Sequence, residues 1–294
     1  EEVRGLSLSA FLDALPLSDS QLATLRARLQ GTTSTELDRV TLRITEAERA
    51  FHTGSGTYFR ATEGNQGIAE SMARELPDVR LGAVVEALEQ EGSAVSVRGK
   101  DVDLRARAAI VAVPAPLAAR LEFRPDLPEE QARALSELPM GVASKLAAAA
   151  GEPPALRALQ DVEIPYWCWA ARGSDSEEAR PVVTAFAGSP SAQEKLRTTA
   201  GDPAPWMERL RKLNPDVRFS GEVVLKTWAD DPFARGSYSA FDDRSWDRIP
   251  LLSRSVGLIA FAGEHTSAPH DYGTMNGAIL SGLKAAEDVL LMLA

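Results

Sequence analysis

A short apolar segment near the C-terminal end of the sequence runs into a glycine, and an amphipathic helix follows it. Residues 257–263 read Gly-Leu-Ile-Ala-Phe-Ala-Gly, which is typical of a buried strand that ends in a glycine turn. Thr274 can cap the next helix, because its hydroxyl can accept a hydrogen bond from a first-turn backbone N–H. The predicted apolar face of this helix includes Met275, Ile279, Leu283, Ala286 and Leu290.

A second apolar run, residues 108–113, has the pattern of a strand buried on both faces and ends at Pro114. Residues 83–85 and 94–97 are shorter strand-like segments. These segments are far apart in the sequence, so a single sheet built from them makes the domains discontinuous. We therefore predict an α/β (α+β mixed) fold. At about 150 residues per domain, 294 residues correspond to two domains or one large one.

The N-terminal part is predicted to be helical. Ser18 and Gln21 have the spacing of a capping box, and Gly31 marks the predicted end of the helix that follows. The leucines between Gln21 and Gly31 recur at helical spacing, which supports this predicted helix. Further helices are predicted at residues 35–51, 68–76 and 129–138.

The composition excludes several classes of protein. The sequence is 44% hydrophobic and 25% charged, which argues against disorder and low-complexity filaments. Its net charge of −10 repels phosphate backbones, so we expect no nucleic-acid partner. No apolar run reaches the roughly 18 residues of a membrane span, and no signal peptide is recognisable. The sequence therefore predicts a cytoplasmic protein without a membrane partner.

Residues that bind metals or form disulfides are scarce. Cys168 is the single cysteine, so neither an intrachain disulfide nor a cysteine-based zinc site can form. His265 and His270 could share a site, but no carboxylate residues stand near them in a pattern that indicates metal ligands. We therefore expect no metal.

Common catalytic and nucleotide-binding motifs are absent. The sequence has no G-x-x-x-x-G-K-[ST] phosphate loop, no G-x-S-x-G nucleophile turn and no H-E-x-x-H zinc motif. Gly54 and Gly56 begin like a dinucleotide-binding loop, but Phe59 stands where the third glycine is needed. We therefore expect no dinucleotide fingerprint there.

The end of the C-terminal strand has the pattern of a ligand site. Ligands of open α/β sheets lie beyond the carboxyl ends of the strands, where Gly263, Glu264 and Thr266 follow one another. Glu264 could accept hydrogen bonds from sugar hydroxyls, and the helix N-terminus at residues 275–277 could stabilise an anion. A strand, turn and helix without any ligand has the same pattern, so both interpretations stay open.

Four stretches in order resemble the flavin-dependent amine oxidase family, which includes monoamine and polyamine oxidases. Residues 257–290, with Gly-Glu-His-Thr-Ser at 263–267, resemble its C-terminal FAD-binding segment. The other three stretches are residues 59–66, the pair 123–128 and 139–145, and residues 228–238. The family opens with a strand and a G-x-G-x-x-G turn, which are not found in this sequence.

The resemblance implies a domain plan and a partner. It places a helical part of the substrate domain at residues 1–52 and part of the FAD-binding domain at 53–134. The substrate domain continues over 135–230, and the FAD-binding domain ends at 231–294. We expect a second polypeptide to supply the dinucleotide-binding section.

The resemblance also implies catalytic residues. Lys145 matches a lysine near flavin N5 that binds a water used in flavin reoxidation, and Tyr238 matches a tyrosine that faces the flavin. Trp228 is expected near the ring system, and Thr274 stands where monoamine oxidases have a second tyrosine. Without the resemblance, Lys145 is typical of a surface lysine, and the aromatic residues are typical of a core.

The same resemblance implies that the cofactor is FAD. Glu264 and Thr266 match positions near its ribityl and pyrophosphate groups, and the Met275 amide matches one near the flavin pyrimidine. Further cofactor-binding positions are Gly263, Gly273 and Val85, of which Val85 could equally be a core residue. Ser237 replaces the cysteine that attaches flavin covalently in mitochondrial monoamine oxidases, so FAD is expected to be noncovalent.

The activity implied is oxidation of a small amine to an imine, with hydride transfer to flavin N5. Oxygen then reoxidises the flavin and hydrogen peroxide is produced. An amino-acid oxidase or desaturase-like flavoenzyme of the same superfamily is one alternative. A flavin-free binding or regulatory subunit is another.

Overall fold

The computed structural model describes residues 4–46, 61, 64–173, 178–198, 201–269 and 271–294. The helices in this part of the chain are α1 Leu8–Asp13, α2 Asp19–Thr33, α3 Gln66–Arg74, α4 Ala115–Ala118, α5 Glu129–Glu137, α6 Pro190–Lys195, α7 Ala204–Leu213, α8 Asp243–Trp246, α9 Ile249–Leu252 and α10 Met275–Met292. The strands are β1 Ala87–Glu91, β2 Ala94–Gly99, β3 Val102–Ala106, β4 Ala109–Val111, β5 Glu122–Arg124, β6 Ala143–Ala150, β7 Ala158–Asp161, β8 Tyr166–Arg172, β9 Ala179–Gly188, β10 Phe219–Thr227 and β11 Ile259–Phe261. Short 3₁₀ helices span Leu42–Glu46 and Glu264–Thr266.

The largest sheet is antiparallel, with strand order β10-β6-β9-β8-β7. Its residues alternate between two faces. Leu146 is fully buried on the face covered by α6 and α7, where Trp206 packs edge-on against Tyr166 with ring centroids 5.5 Å apart. Helix α2 contacts β7, β8 and β9, and Arg28 lies over the ring of Trp167 at 4.3 Å. Since Trp167 alternates with residues of the buried face, α2 covers part of the opposite face.

Two smaller sheets share a second core. One has the order β3-β2-β1-β5, and the other pairs β11 with β4 in parallel. Phe123 of β5 and Phe261 of β11 meet with ring centroids 6.0 Å apart, and residues of α5 and α9 complete this core. The chain therefore has the mixed α/β fold that the sequence predicts.

Local signals predicted several elements correctly. In the capping box of α2, the Ser18 backbone N–H donates to Gln21 Oε1 at 3.0 Å, and the Gln21 N–H donates to Ser18 Oγ at 3.4 Å. Thr274 caps α10, because its Oγ1 accepts from the Gly277 N–H at 3.0 Å. Helix α5 forms within its predicted range, and α3 is shifted two residues toward the N-terminus of the range predicted for it. These signals act within one or two turns, which is why the sequence reveals them.

The helix predicted over residues 35–51 does not form where the chain is described. Residues 35–41 are irregular and only Leu42–Glu46 is a 3₁₀ turn, while residues 47–51 lie outside the described part. The physical reason is a competing set of hydrogen bonds. The Leu37 and Val40 carbonyls accept from the Ser9 and Leu8 N–H groups, which ties this segment to α1.

The strand predictions for the four-stranded sheet are partly wrong. Residues 83–85 were predicted as a strand but are irregular, and the strand begins at Ala87. The Val84 carbonyl oxygen lies so close to Gly99 that a Cβ there would be 1.9 Å from it. Strand β3 was not predicted, because Asp103 and Arg105 interrupt its apolar residues.

The burial of two predicted apolar faces is corrected by the structure. Strand β11 is buried throughout, but Ile110 of β4 is 41% exposed. The predicted apolar face of α10 also points outward, with Leu283 60% exposed. Small residues of α10 are buried instead, namely Gly277, Ser281 and Ala285.

Some sequence features lie outside the described residues. They include the glycine cluster at 53–56, most of the stretch at 59–66, and His52 and His270. Among the residues that are described, no helix has the length and apolarity needed to cross a bilayer. The same residues contain no cluster of three or more metal-ligating side chains.

Candidate functional site

The loop after β11 is shaped by a glycine and fastened to α10. Gly263 has φ of 134°, and a Cβ on it would lie 2.6 Å from the buried His265 ring. Its N–H donates to Ser281 Oγ at 3.0 Å, and the same hydroxyl donates back to the Gly263 carbonyl at 2.9 Å. Thr266, also buried, donates its hydroxyl to that carbonyl at 2.9 Å. The backbone here therefore needs glycine and is held rigidly against the helix.

Glu264 joins two segments that are distant in sequence. One carboxylate oxygen accepts from the Ser239 N–H at 2.9 Å. The other accepts from the Ser239 hydroxyl at 2.6 Å and from the Gly273 N–H at 2.7 Å. Hydrogen bonds to an ionised carboxylate are stronger than neutral ones. Glu264 therefore fixes the segment of Tyr238 to the N-terminal end of α10, and its predicted contact with cofactor hydroxyls stays a prediction.

Tyr238 lies at the centre of this junction. Its backbone carbonyl accepts from the Gly141 N–H at 2.7 Å, and the Gly141 carbonyl accepts from the Ser237 N–H at 2.8 Å. The ring packs on Gly273, where an added Cβ would be 3.5 Å from Cδ2. Burial raises the pKa of the Tyr238 phenol, and a hydrogen bond from Ser34 partly opposes the rise. The phenol is therefore neutral at ordinary pH.

Lys145 lies in the large sheet and Trp228 directly follows one of its strands. Lys145 is exposed on β6 and pairs across the sheet with Phe186 and Lys226. Lys226 forms an ion pair with Asp231 at 2.8 Å, whereas Lys145 has no carboxylate partner among the described residues. Half-buried Trp228 follows β10 directly, and its carbonyl accepts from the Asp231 N–H at 3.3 Å. Both residues therefore lie at the base of the loop that carries Tyr238.

The N-terminus of α10 is exposed next to Tyr238. Thr274 uses its hydroxyl as the helix cap, and Met275 is 48% exposed in the first helical turn. First-turn amides have no partner within a helix, so those of Met275 and Asn276 can donate to a ligand. The eighteen-residue helix also gives this end a positive dipole. Thr274 thus has an internal role as a cap in addition to its predicted role in the cavity.

Val85 is the predicted site residue that lies apart from this junction. It precedes β1 and is half-buried against the core of the two smaller sheets. That position agrees with the interpretation of Val85 as a core residue. Its predicted backbone contact with adenine stays a prediction.

The geometry shows site residues that the sequence did not reveal. Ser34 contacts the Tyr238 hydroxyl from 204 positions away, and Ser239 donates twice to Glu264. Tyr272 packs against Phe241 with ring centroids 4.9 Å apart and perpendicular rings. Burial raises the pKa of the Tyr272 phenol. The two serines have no distinctive sequence pattern, so only long-range contacts could identify them.

The residues of the junction fit a flavin nucleotide. Ser237 Oγ is buried and has no hydrogen-bond partner among the described residues, so a polar group of a ligand could satisfy it. The free amides at the start of α10 suit the negative charge of a reduced flavin. Cys168 is buried in the large sheet, accepting from Asn214 Nδ2 at 3.3 Å, and burial raises the pKa of its thiol. That thiol is poorly suited to forming a covalent flavin bond.

Comparison with known proteins agrees with this geometry. The family model described as flavin containing amine oxidoreductase matches residues 6–290. Polyamine oxidase 4 of Oryza sativa subsp. japonica is 26% identical over 280 residues, which cover 92% of this chain and 56% of the relative. A flavin-containing amine oxidase of Danio rerio is 26% identical over 265 residues, with 82% and 49% covered. The chain thus spans about half the length of these relatives.

Solved structures show the same fold. Putrescine oxidase bound to putrescine superposes with a TM-score of 0.80 at 20% identity, covering 99% of this chain and 69% of that one. Cyclohexylamine oxidase from Brevibacterium oxydans IH-35A gives a TM-score of 0.73 at 18% identity, with 99% and 69% covered.

Proposed function

The chain belongs to the family of flavin containing amine oxidoreductases, and from this we propose that it is part of an FAD-dependent oxidase that converts a small amine to an imine. The observation that carries the proposal is the junction itself. Glu264 holds the Tyr238 segment against the start of α10, beside the buried and unpaired hydroxyl of Ser237. These are the features expected where a flavin and an amine meet.

The protein groups orient and desolvate the amine, while the cofactor supplies the redox chemistry. A bound flavin would accept hydride from the carbon next to nitrogen and pass the electrons to oxygen, giving hydrogen peroxide. The half-buried rings of Tyr238 and Trp228 keep water from the amine. Lys145 has no carboxylate partner among the described residues, so its ammonium would disfavour a second positive charge nearby and favour the neutral amine that can lose hydride.

The direct test is the flavin content and the product of the purified full protein. We expect a yellow protein that releases one hydrogen peroxide for each amine oxidised, measured with a peroxidase-coupled assay under air. Amino acids assayed in parallel distinguish an amino-acid oxidase. A colourless protein that takes up no added FAD would contradict the proposal and favour a binding subunit.

Noncovalent attachment is supported by Ser237 and by the buried position of Cys168. Acid precipitation is expected to release the flavin into the supernatant. Flavin that stays on the denatured chain would contradict this part of the proposal.

Lys145 is proposed to hold the water used when oxygen reoxidises the flavin. Lys145→Met is expected to slow the reaction of reduced enzyme with oxygen more than the reduction by amine, as measured by stopped-flow absorbance. Lys226→Met is the matched control, because this neighbouring lysine is already paired with Asp231. Equal effects of the two variants would show that Lys145 is a surface lysine without a specific role in flavin reoxidation.

We further propose that a dinucleotide-binding section with a G-x-G-x-x-G turn covers the exposed sides of β4 and α10, and that a second polypeptide supplies it. Exposed apolar side chains there support this, among them Ile110, Ile279 and Leu283. A contiguous apolar surface is typical of interfaces, and these exposed side chains would contribute to one. FAD would then lie across the interface.

Co-expression and affinity measurements test this assembly. Leu283→Gln is expected to weaken association roughly tenfold, because it removes one apolar contact of hot-spot size. Glu287→Gln, one turn further along α10, is the control and is expected to change little. Tight FAD binding by this chain alone, unchanged by Leu283→Gln, would contradict a separate partner.

A further inference from the structure

Ser34 lies at a fixed point between α2 and the large sheet. It ends α2 in the left-handed conformation, with φ of 54°, and none of its surface is exposed. Its carbonyl accepts from the Val142 N–H at 2.6 Å. Two glycines leave room for it, since a Cβ on Gly141 would be 2.9 Å from Ser34 Cβ and one on Gly188 would be 3.0 Å from Ser34 Oγ. The side chain therefore has little freedom to move.

The hydroxyls of Ser34 and Tyr238 have defined donor and acceptor roles. Tyr238 Oη donates to the Thr32 carbonyl, which can only accept, so the single phenol hydrogen is used there. Ser34 Oγ lies 2.6 Å from Tyr238 Oη and must therefore be the donor of that bond. The alternative acceptor for Ser34, the Gly31 carbonyl, is at the longer distance of 3.5 Å. The phenol oxygen thus carries both a donated and an accepted hydrogen bond.

This arrangement connects the aromatic ring to the end of a helix. The Thr32 carbonyl belongs to the last turn of α2, where carbonyls have no partner within the helix. The Tyr238 hydroxyl donates a hydrogen bond to this carbonyl, while the Tyr238 ring packs on Gly273 on its other side. The ring is therefore held at two ends, and its proton is not free for acid–base chemistry.

We propose that Ser34 is a positioning residue that orients the ring of Tyr238 toward the amine, and that the Tyr238 hydroxyl contacts neither substrate nor cofactor. This inference rests on the proposed amine oxidation for its functional part. The hydrogen-bond pattern itself is independent of that function. The ring face, rather than the hydroxyl, is then the part of Tyr238 that meets the amine.

A double-mutant cycle in the full protein tests the proposal. Ser34→Gly removes the hydroxyl and tolerates the left-handed backbone, and Tyr238→Phe removes only the phenol oxygen. Ser34→Gly is expected to raise the amine dissociation constant by about two- to tenfold, the worth of one hydrogen bond, and Tyr238→Phe by at least as much, with smaller changes in the limiting rate of flavin reduction. The double variant is expected to match Tyr238→Phe alone, because Tyr238→Phe already removes the bond to Ser34 together with the bond to Thr32.

Thr33→Ala is the matched control. It deletes the adjacent hydroxyl, which donates to the Leu29 carbonyl at 3.0 Å and does not contact Tyr238. This variant is expected to leave amine binding unchanged. Additive effects of Ser34→Gly and Tyr238→Phe would overturn the proposal, since Ser34 would then act on amine binding by a route other than the phenol. If Ser34→Gly does not fold, a loss of flavin reduction beyond a hundredfold in Tyr238→Phe alone overturns it too.

A second readout requires no flavin. Titration of tyrosinate by ultraviolet absorbance, with Tyr238→Phe subtracted, gives the Tyr238 ionisation. Ser34→Gly is expected to move it to higher pH, because the lost donor stabilised the phenolate, and Thr33→Ala is expected to leave it unchanged. An unmoved titration refutes the hydrogen bond whatever the protein's activity. A moved titration with unchanged amine binding refutes the positioning role.

Discussion

The large sheet and the C-terminal strand and helix differ in how they bury apolar residues. In the large sheet, α6 and α7 close one face, and Leu146, Tyr166 and Trp206 have no exposed surface. In the C-terminal region, Ile110 of β4 is 41% exposed and Leu283 of α10 is 60% exposed. A pair of parallel strands requires cover on both faces. One face of the large sheet is therefore closed within this chain, whereas the C-terminal region presents a surface that another section can cover.

The candidate site lies where these regions meet. Tyr238 follows the large sheet and is fastened through Ser239 and Glu264 to the start of α10. The large sheet supports the Tyr238 segment on one side, and the exposed N-terminal end of α10 lies on the other side. The exposed N-terminal end of α10 leaves this side of the site open to a ligand.

The largest expected effect compares the same substitution in both regions. Leu210→Ala in α7 is expected to destabilise the protein by about 2–5 kcal/mol, because Leu210 is fully buried. Leu290→Ala in α10 is expected to change stability by less than about 0.5 kcal/mol, because 69% of Leu290 is exposed. Urea unfolding measures both. Equal losses would show that the outer face of α10 is already covered.

A smaller effect is expected within α10 itself. A Cβ on Gly277 would be 2.2 Å from the Asp271 carbonyl oxygen and 2.7 Å from Ser267 Oγ, so Gly277→Ala forces the loop to move. We expect a loss of about 1–3 kcal/mol in thermal or urea unfolding. Gly282→Ala meets nothing within 4 Å and is expected to stabilise the helix by up to about 1 kcal/mol. A destabilised Gly282→Ala variant would reveal unseen packing on this face.

The smallest expected effect is a pH dependence at the end of β11. Burial lowers the pKa of His265, against the opposing charge of Glu264. The unfolded chain therefore binds the proton more readily, so this contribution to stability is present above about pH 6.5 and declines as the pH falls. His265→Asn is expected to lose less stability than wild type between about pH 7 and pH 5. A pH dependence that is the same in His265→Asn and wild type would argue against His265 as the source.

Local sequence signals predicted the elements that depend on near neighbours. The capping box of Ser18 and Gln21, the Thr274 cap and the apolar run of β11 all appear in the structure. Each depends on residues within a few positions. The helix predicted over residues 35–51 was wrong over its described part, because bonds to α1 determine that segment.

The sequence by itself determined the α/β class, the strand–glycine–helix unit at the C-terminal end and the order of motifs that resembles a family. Tertiary structure alone decided which faces are buried and which side chains meet at the site. Periodicity shows that α10 has an apolar face, but it cannot say whether anything covers Leu283. Ser34 reaches Tyr238 only because α2 ends beside Gly141 and Gly188. Contacts between such distant residues depend on the path of the whole backbone, which no local pattern specifies.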